Sequence, residues 1–121
     1  MREIKFRGKS IDGEWVYGGI AVTHNGAYIF DNALPYDNAN PVISETVGQF
    51  TGLKDKNGVE IYEGDVVIIT YERWRKYSVE YWGKDFGSYV LVKDGKYFES
   101  DLADYSDLEV IGTIHDKAGE E

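Results

Sequence analysis

Glu63 and Asp65 flank Gly64. Two carboxylates that close could share a proton and do general acid–base work. The same types also build turns, with an Asp accepting backbone amides and a Glu left in water. The turn role is the expected one, and no hydrolytic role is assigned. His24 and His115 are the only histidines. Neither has a neighbouring His or carboxylate at metal-ligand spacing, so each is read as a turn or strand-end residue. Asp55-Lys56-Asn57-Gly58 superficially matches a calcium loop. Aligning Gly58 with that loop's glycine puts Leu53 at the first ligand position and Gly64 where a bidentate Glu is needed, so the match fails. Asp85-Phe86-Gly87 matches a kinase tripeptide without the glycine-rich and catalytic loops a kinase requires, and is expected to be a turn. There is no Cys, which excludes disulfides and thiol nucleophiles. No catalytic, cofactor-binding or metal residue is therefore expected, and no cofactor.

Binding chemistry is better represented. Arg73, Trp74, Arg75 and Lys76 cluster near an expected hairpin tip, with Trp82 close by in sequence. Cations interleaved with aromatic rings suit protein partners or single-stranded nucleic acid. The competing reading makes the rings of residues 71–98 core and cross-strand pairs, with the cations at a loop. Lys54, Asp55 and Lys56 form a second candidate surface, because turn and core demands explain their neighbours but not them. The expected interaction surface is thus Lys54, Asp55, Lys56, Arg73, Trp74, Arg75, Lys76 and Trp82.

The formal charge is -9 and is unevenly spread. Residues 1–60 hold six basic and eight acidic residues, residues 61–98 six of each, and residues 99–121 Lys117 against eight acids. Such acidity opposes phosphate, so nucleic acid is a poor partner unless the acidic segment mimics it. The opening Met1-Arg2-Glu3-Ile4 has no apolar run of a signal peptide, and no apolar stretch is long enough to cross a membrane as a helix. A soluble, cytoplasmic protein is expected.

The elements that must position these residues are strands. Asp12-Gly13, Asn25-Gly26, Asn57-Gly58 and Asp94-Gly95 are hairpin-turn pairs, each between runs of β-branched and aromatic residues. Residues 2–31 read as a three-strand meander in which Ile4 and Phe6 face one way and Glu3, Lys5 and Arg7 the other. Residues 31–45, with Pro35 and Pro41, read as a loop. Thr46 opens a second half. Asp65 to Tyr71 is apolar on both faces, which marks a central strand. Ser100 to Tyr105 could form one helical turn with Ser100 as its cap. About five strands from Asp65 to Ile114 suggest a small closed or nearly closed barrel, which hides its edges. The expected organisation is an N-terminal β-meander and loop over 1–45, an SH3-like barrel over 46–115, and an acidic tail over 116–121.

Three stretches carry a family likeness: the opening Met1-Arg2-Glu3-Ile4-Lys5-Phe6-Arg7, the centre from Gln49 to Val67 with its core Thr51-Gly52-Leu53-Lys54-Asp55-Lys56-Asn57-Gly58, and the close Leu108-Glu109-Val110-Ile111-Gly112-Thr113-Ile114. In these the chain resembles the YopX-like proteins of bacteriophages and prophages. The resemblance implies a mostly-β protein whose C-terminal part is SH3-like, in phage-infected or lysogenic bacteria, and it implies no catalytic residues. The matching reading is an accessory protein of unknown molecular function, a non-enzymatic protein-binding or self-associating β module. Its partner would be another copy or a host or phage protein, and a homo-oligomer is expected. The alternative is a nucleic-acid-linked protein, either a single-strand binder or an acidic DNA mimic.

Overall fold

Asx-Gly turns set the strand ends. In the computed structural model, Gly13, Gly26 and Gly58 all have φ in the positive range, which hairpin turns favour and which glycine adopts without a Cβ clash. The structure describes residues 5–30, 39–69, 75–81, 89–93, 96–101 and 107–115. The Asp94-Gly95 turn, Asp85-Phe86-Gly87 and residues 116–121 lie outside these. The chain divides into two compact units, residues 1–50 and 51–121. Strands dominate both, in two antiparallel sheets, with no helix among the described residues. None of the described residues forms a helix long and apolar enough to cross a membrane.

The first unit is the expected meander plus a strand. β1 (Phe6–Lys9), β2 (Trp15–Thr23) and β3 (Gly26–Phe30) follow one another through tight turns. β4 (Ala39–Lys54) then pairs with β3 through Ala39 to Val42 and with β1 through Ile43, Gly48 and Gln49. β1 is therefore flanked by β2 on one edge and β4 on the other. This corrects two expectations. Residues 39–45 are strand, not loop, and Thr46 to Phe50 belong with β1. Pro41 lies beyond the last β1–β4 pair and opposite Tyr28 in the β3–β4 ladder. Ile29 and Ala27 on β3 are buried. Gly8 sits so close to β4 that a Cβ there would stand 2.8 Å from Val42 Cγ2.

The second unit holds the end of β4 from Thr51, then β5 (Glu60–Tyr62), β6 (Asp65–Ile69), β7 (Lys76–Tyr81), β8 (Tyr89–Lys93), β9 (Lys96–Asp101) and β10 (Leu108–Thr113). The second sheet runs β10-β6-β7-β8-β9. β6 is interior, as its doubly apolar sequence requires. Five strands lie between Asp65 and Ile114 as expected, but the ladders among the described residues end at β9 and β10. Ser100 and Asp101 are in β9, with Asp101 opposite Val90. Residues 102–105, the rest of the expected helical turn, lie outside the described residues. Val67, Val79 and Leu91 are fully buried beside Tyr77 and Tyr89. Each such side chain contributes about 1.5–3 kcal/mol of burial. Tyr77 and Tyr89 are thus core, in line with the cross-strand reading of the aromatics, and Tyr81 lies over Tyr89 at a ring separation of 5.1 Å.

Gly8→Ala should lower stability by about 1–3 kcal/mol through overpacking, read as the midpoint of chemical denaturation. Adding Val42→Ala should recover most of the loss. Equal midpoints for wild type and Gly8→Ala would contradict the close approach of β1 and β4.

Candidate interaction surface

Strand alternation places Lys5, Arg7 and Lys9 on one face of β1. Arg7 is opposite Tyr17 on β2 and Gly48 on β4, and Lys9 is opposite Trp15 on β2 and Ile43 on β4. Residues directly opposite share a face and touch across it. Two rows result, Ile43–Lys9–Trp15 and Gly48–Arg7–Tyr17, with β1 in the middle of each. The Arg7 guanidinium lies 4.4 Å from the Trp15 ring centroid and the Lys9 ammonium 5.8 Å from it. Lys5 packs similarly over Phe50 at 5.3 Å. Such contacts contribute about 0.5–1 kcal/mol when exposed and about 2 kcal/mol when desolvated. Arg7 is 6% exposed, so its contact belongs near the upper value. Tyr17 at 46% and Ile43 at 42% remain exposed.

An irregularity in β4 fixes the upper row. Between Arg7 and Lys9 the β4 partner moves from Gly48 to Ile43, so extra β4 residues bulge out. The Thr46 hydroxyl ties this bulge. It donates to the Ile43 carbonyl at 2.6 Å and accepts the Lys9 amide at 2.8 Å. The bulge thus sets where Lys9 and Ile43 meet. Aromatic rings and an exposed isoleucine, set over a buried guanidinium on one sheet face, resemble the composition of protein-interface centres.

The candidates read from sequence have different fates. Arg73, Trp74 and Trp82 lie outside the described residues. Lys54, Arg75 and Lys76 are exposed. Lys76 is opposite Ile68, which is opposite Glu109 on its other side. Lys56 meets Glu109 at 3.7 Å, a partly exposed pair worth about 0–1 kcal/mol. Lys56, Glu109 and Lys76 therefore share one region of the second unit.

Asp55 has a structural task. It is 8% exposed. Its Oδ1 accepts the amides of Asn57 at 2.8 Å and Val59 at 2.9 Å, and its Oδ2 accepts the Val110 amide at 3.0 Å. The Lys56 amide donates to the Leu108 carbonyl at 3.0 Å. Leu108 and Val110 have the same parity on β10, so both groups point to its outer edge, away from β6. The turn covers part of a sheet edge, which otherwise invites pairing with other chains. Leu53 and Ile61 pack on the core, whereas Val59 is exposed; its amide, not its side chain, holds the turn. Asp65 is also structural, buried with Oδ2 accepting the Tyr62 amide at 2.7 Å. His24 is exposed in its turn. Among the described residues no three His, Asp or Glu gather to hold a metal.

The sequence reading missed Lys9, Trp15, Tyr17 and Ile43. A signal was present: alternating cations on β1 face alternating aromatics across the Asp12-Gly13 turn. Ile43 gave none, because its segment reads as loop.

Asp55→Ala should cost about 3 kcal/mol by stranding the amides it holds and should speed hydrogen exchange at Val110. Lys54→Ala with Lys56→Ala should change stability by less than about 0.5 kcal/mol. A benign Asp55→Ala would refute the structural assignment.

A search of the curated proteins finds no match. A family model described as YopX protein matches residues 5–119, nearly the whole chain. The match takes in β1 with its cations, the Asp55 turn and the closing strand, and the chain belongs to the YopX family.

Proposed function

We propose that this chain is a non-enzymatic protein-binding module, an accessory protein of a phage or prophage acting in the cytoplasm of the bacterial host. The observation that carries this reading is the β4–β1–β2 face, where exposed Tyr17 and Ile43 surround cations held on Trp15. Rings pre-positioned by cation–π packing and sheet pairing lose little entropy on binding, which favours them as anchors. In this reading the second unit is an SH3-like scaffold built on five short antiparallel strands, and the module works as a homo-oligomer. Lys54, Lys56, Arg75 and Lys76 form a secondary, solvated surface.

A nucleic-acid-linked role is the alternative. The same cations and rings suit a single strand, and the acidic residues 99–121 suit mimicry. The formal charge of -9 favours the protein reading over direct phosphate binding.

The test is affinity capture from lysate of the phage-infected or lysogenic host, with and without nuclease, comparing wild type with Tyr17→Ser. A nuclease-resistant protein retained by wild type and lost with Tyr17→Ser is the expected result. Nuclease-sensitive material would replace this reading with the nucleic-acid one.

A further inference from the structure

We propose that the β4–β1–β2 face is self-complementary, and that two copies of this chain pair on it about a two-fold axis, Lys9 of each copy against Glu45 of the other. This rests on the protein-binding reading above and names its partner. The face holds both signs of charge beside its apolar residues. Lys9 lies in the middle of the upper row, between Ile43 and Trp15. Glu45 is exposed two residues beyond Ile43, in the bulge whose Thr46 hydroxyl accepts the Lys9 amide. That hydrogen bond fixes the acid relative to the cation. Neither residue makes an ion pair with another described residue. The Trp15 ring orients the Lys9 ammonium from 5.8 Å but does not neutralise it. Arg7 is buried and is not one of the charges this surface offers.

Charge decides the mode of association. A two-fold contact is isologous: a residue of one copy meets a second residue of the other, and the reverse pair forms with it. A surface with one unpaired cation and one unpaired acid satisfies both at once when it meets itself in this way. A partner of single sign would pair one of them and set a like charge against the other. Tyr17 at 46% and Ile43 at 42% exposure supply the apolar centre, and the two reciprocal ion pairs supply a polar rim, which is the ordinary layout of a protein interface. Two copies with a formal charge of -9 repel at long range. At about 0.1 M salt the Debye length is about 10 Å, so that repulsion is largely screened while direct contacts keep their attraction. Each copy uses the same face, so this contact closes at two copies.

The experiment is sedimentation velocity on the full chain with exchanged charges. Wild type should pass from monomer to dimer as concentration rises. Lys9→Glu and Glu45→Lys should each weaken association by about tenfold or more, because each sets like charges against one another across the axis. The two variants shift the net charge in opposite directions, so overall repulsion cannot weaken both. Both substitutions in one chain restore opposite charges across the axis and should restore association. An equimolar mixture of the two single variants should form a heterodimer, because each Glu of one copy then meets a Lys of the other. A Lys9–Glu45 pair within one chain predicts no such mixed dimer. Circular dichroism and thermal melting check the fold. If Lys9→Glu melts early, Glu45→Lys and Tyr17→Ser, both at exposed positions, carry the test, and each should weaken association. A wild type that stays monomeric, association indifferent to the substitutions, or single variants that fail to form the mixed dimer would each overturn the proposal. So would dissociation of the dimer by a labelled single-stranded oligonucleotide. If the chain is monomeric but Tyr17-dependent capture of another protein persists, this inference falls and the protein-binding reading stands. If that capture is also lost, both fall.

Discussion

The placement of β1 between β2 and β4 is the constraint on which the first unit depends. The β2 pairing is local, made through the Asp12-Gly13 turn. The β4 pairing joins residues more distant in sequence, such as Phe6 with Gln49, and must offset a larger loop-closure entropy. Its geometry leaves no volume at Gly8, where Val42 occupies the space of a side chain. It also makes β1 the middle strand of an outward face. Arg7 and Lys9 then have a neighbour on each side, and their charged ends lie on Trp15. Stability and surface chemistry follow from one pairing.

The second unit solves a different problem with similar means. β10 is an outer strand of its sheet, and an outer strand presents unpaired backbone groups. The Asp55 turn supplies partners for two of them, the Val110 amide and the Leu108 carbonyl. A register shift between Val110 and Gly112 interrupts the strand just beyond, and such bulges discourage further pairing. The Asp55 turn therefore acts through its backbone and one carboxylate. Edge pairing is discouraged here, while the first unit keeps an exposed aromatic face. That division fits a module that associates through side chains rather than by strand addition.

Much of the fold was legible because turns are written in local chemistry. Asp12-Gly13, Asn25-Gly26 and Asn57-Gly58 turn the chain where expected, and the doubly apolar run from Asp65 marks an interior strand. What was illegible is non-local. Nothing around Asn40 and Pro41 announces a strand, because its extended form is imposed by pairing with Tyr28 and Ile29 on β3. Ser100 has a helix-cap identity, yet it lies in β9. The face was half legible. Alternation places Arg7 with Lys9 and Trp15 with Tyr17, but only the β4 register adds Ile43. Asp55 shows the reverse failure, since a charged residue in a glycine turn reads as solvated or functional until its three amide partners are known.

These features support the proposal that the face centred on β1 is where this chain meets a second copy of itself. The most direct measurement is a dilution series of two-dimensional NMR spectra of the full chain at fixed ionic strength. The account requires concentration-dependent shifts at Lys9, Trp15, Tyr17 and Ile43, with the buried Ile29 and Leu91 unmoved. Spectra that do not change with concentration, or changes centred on the edge of β10 instead, would contradict it.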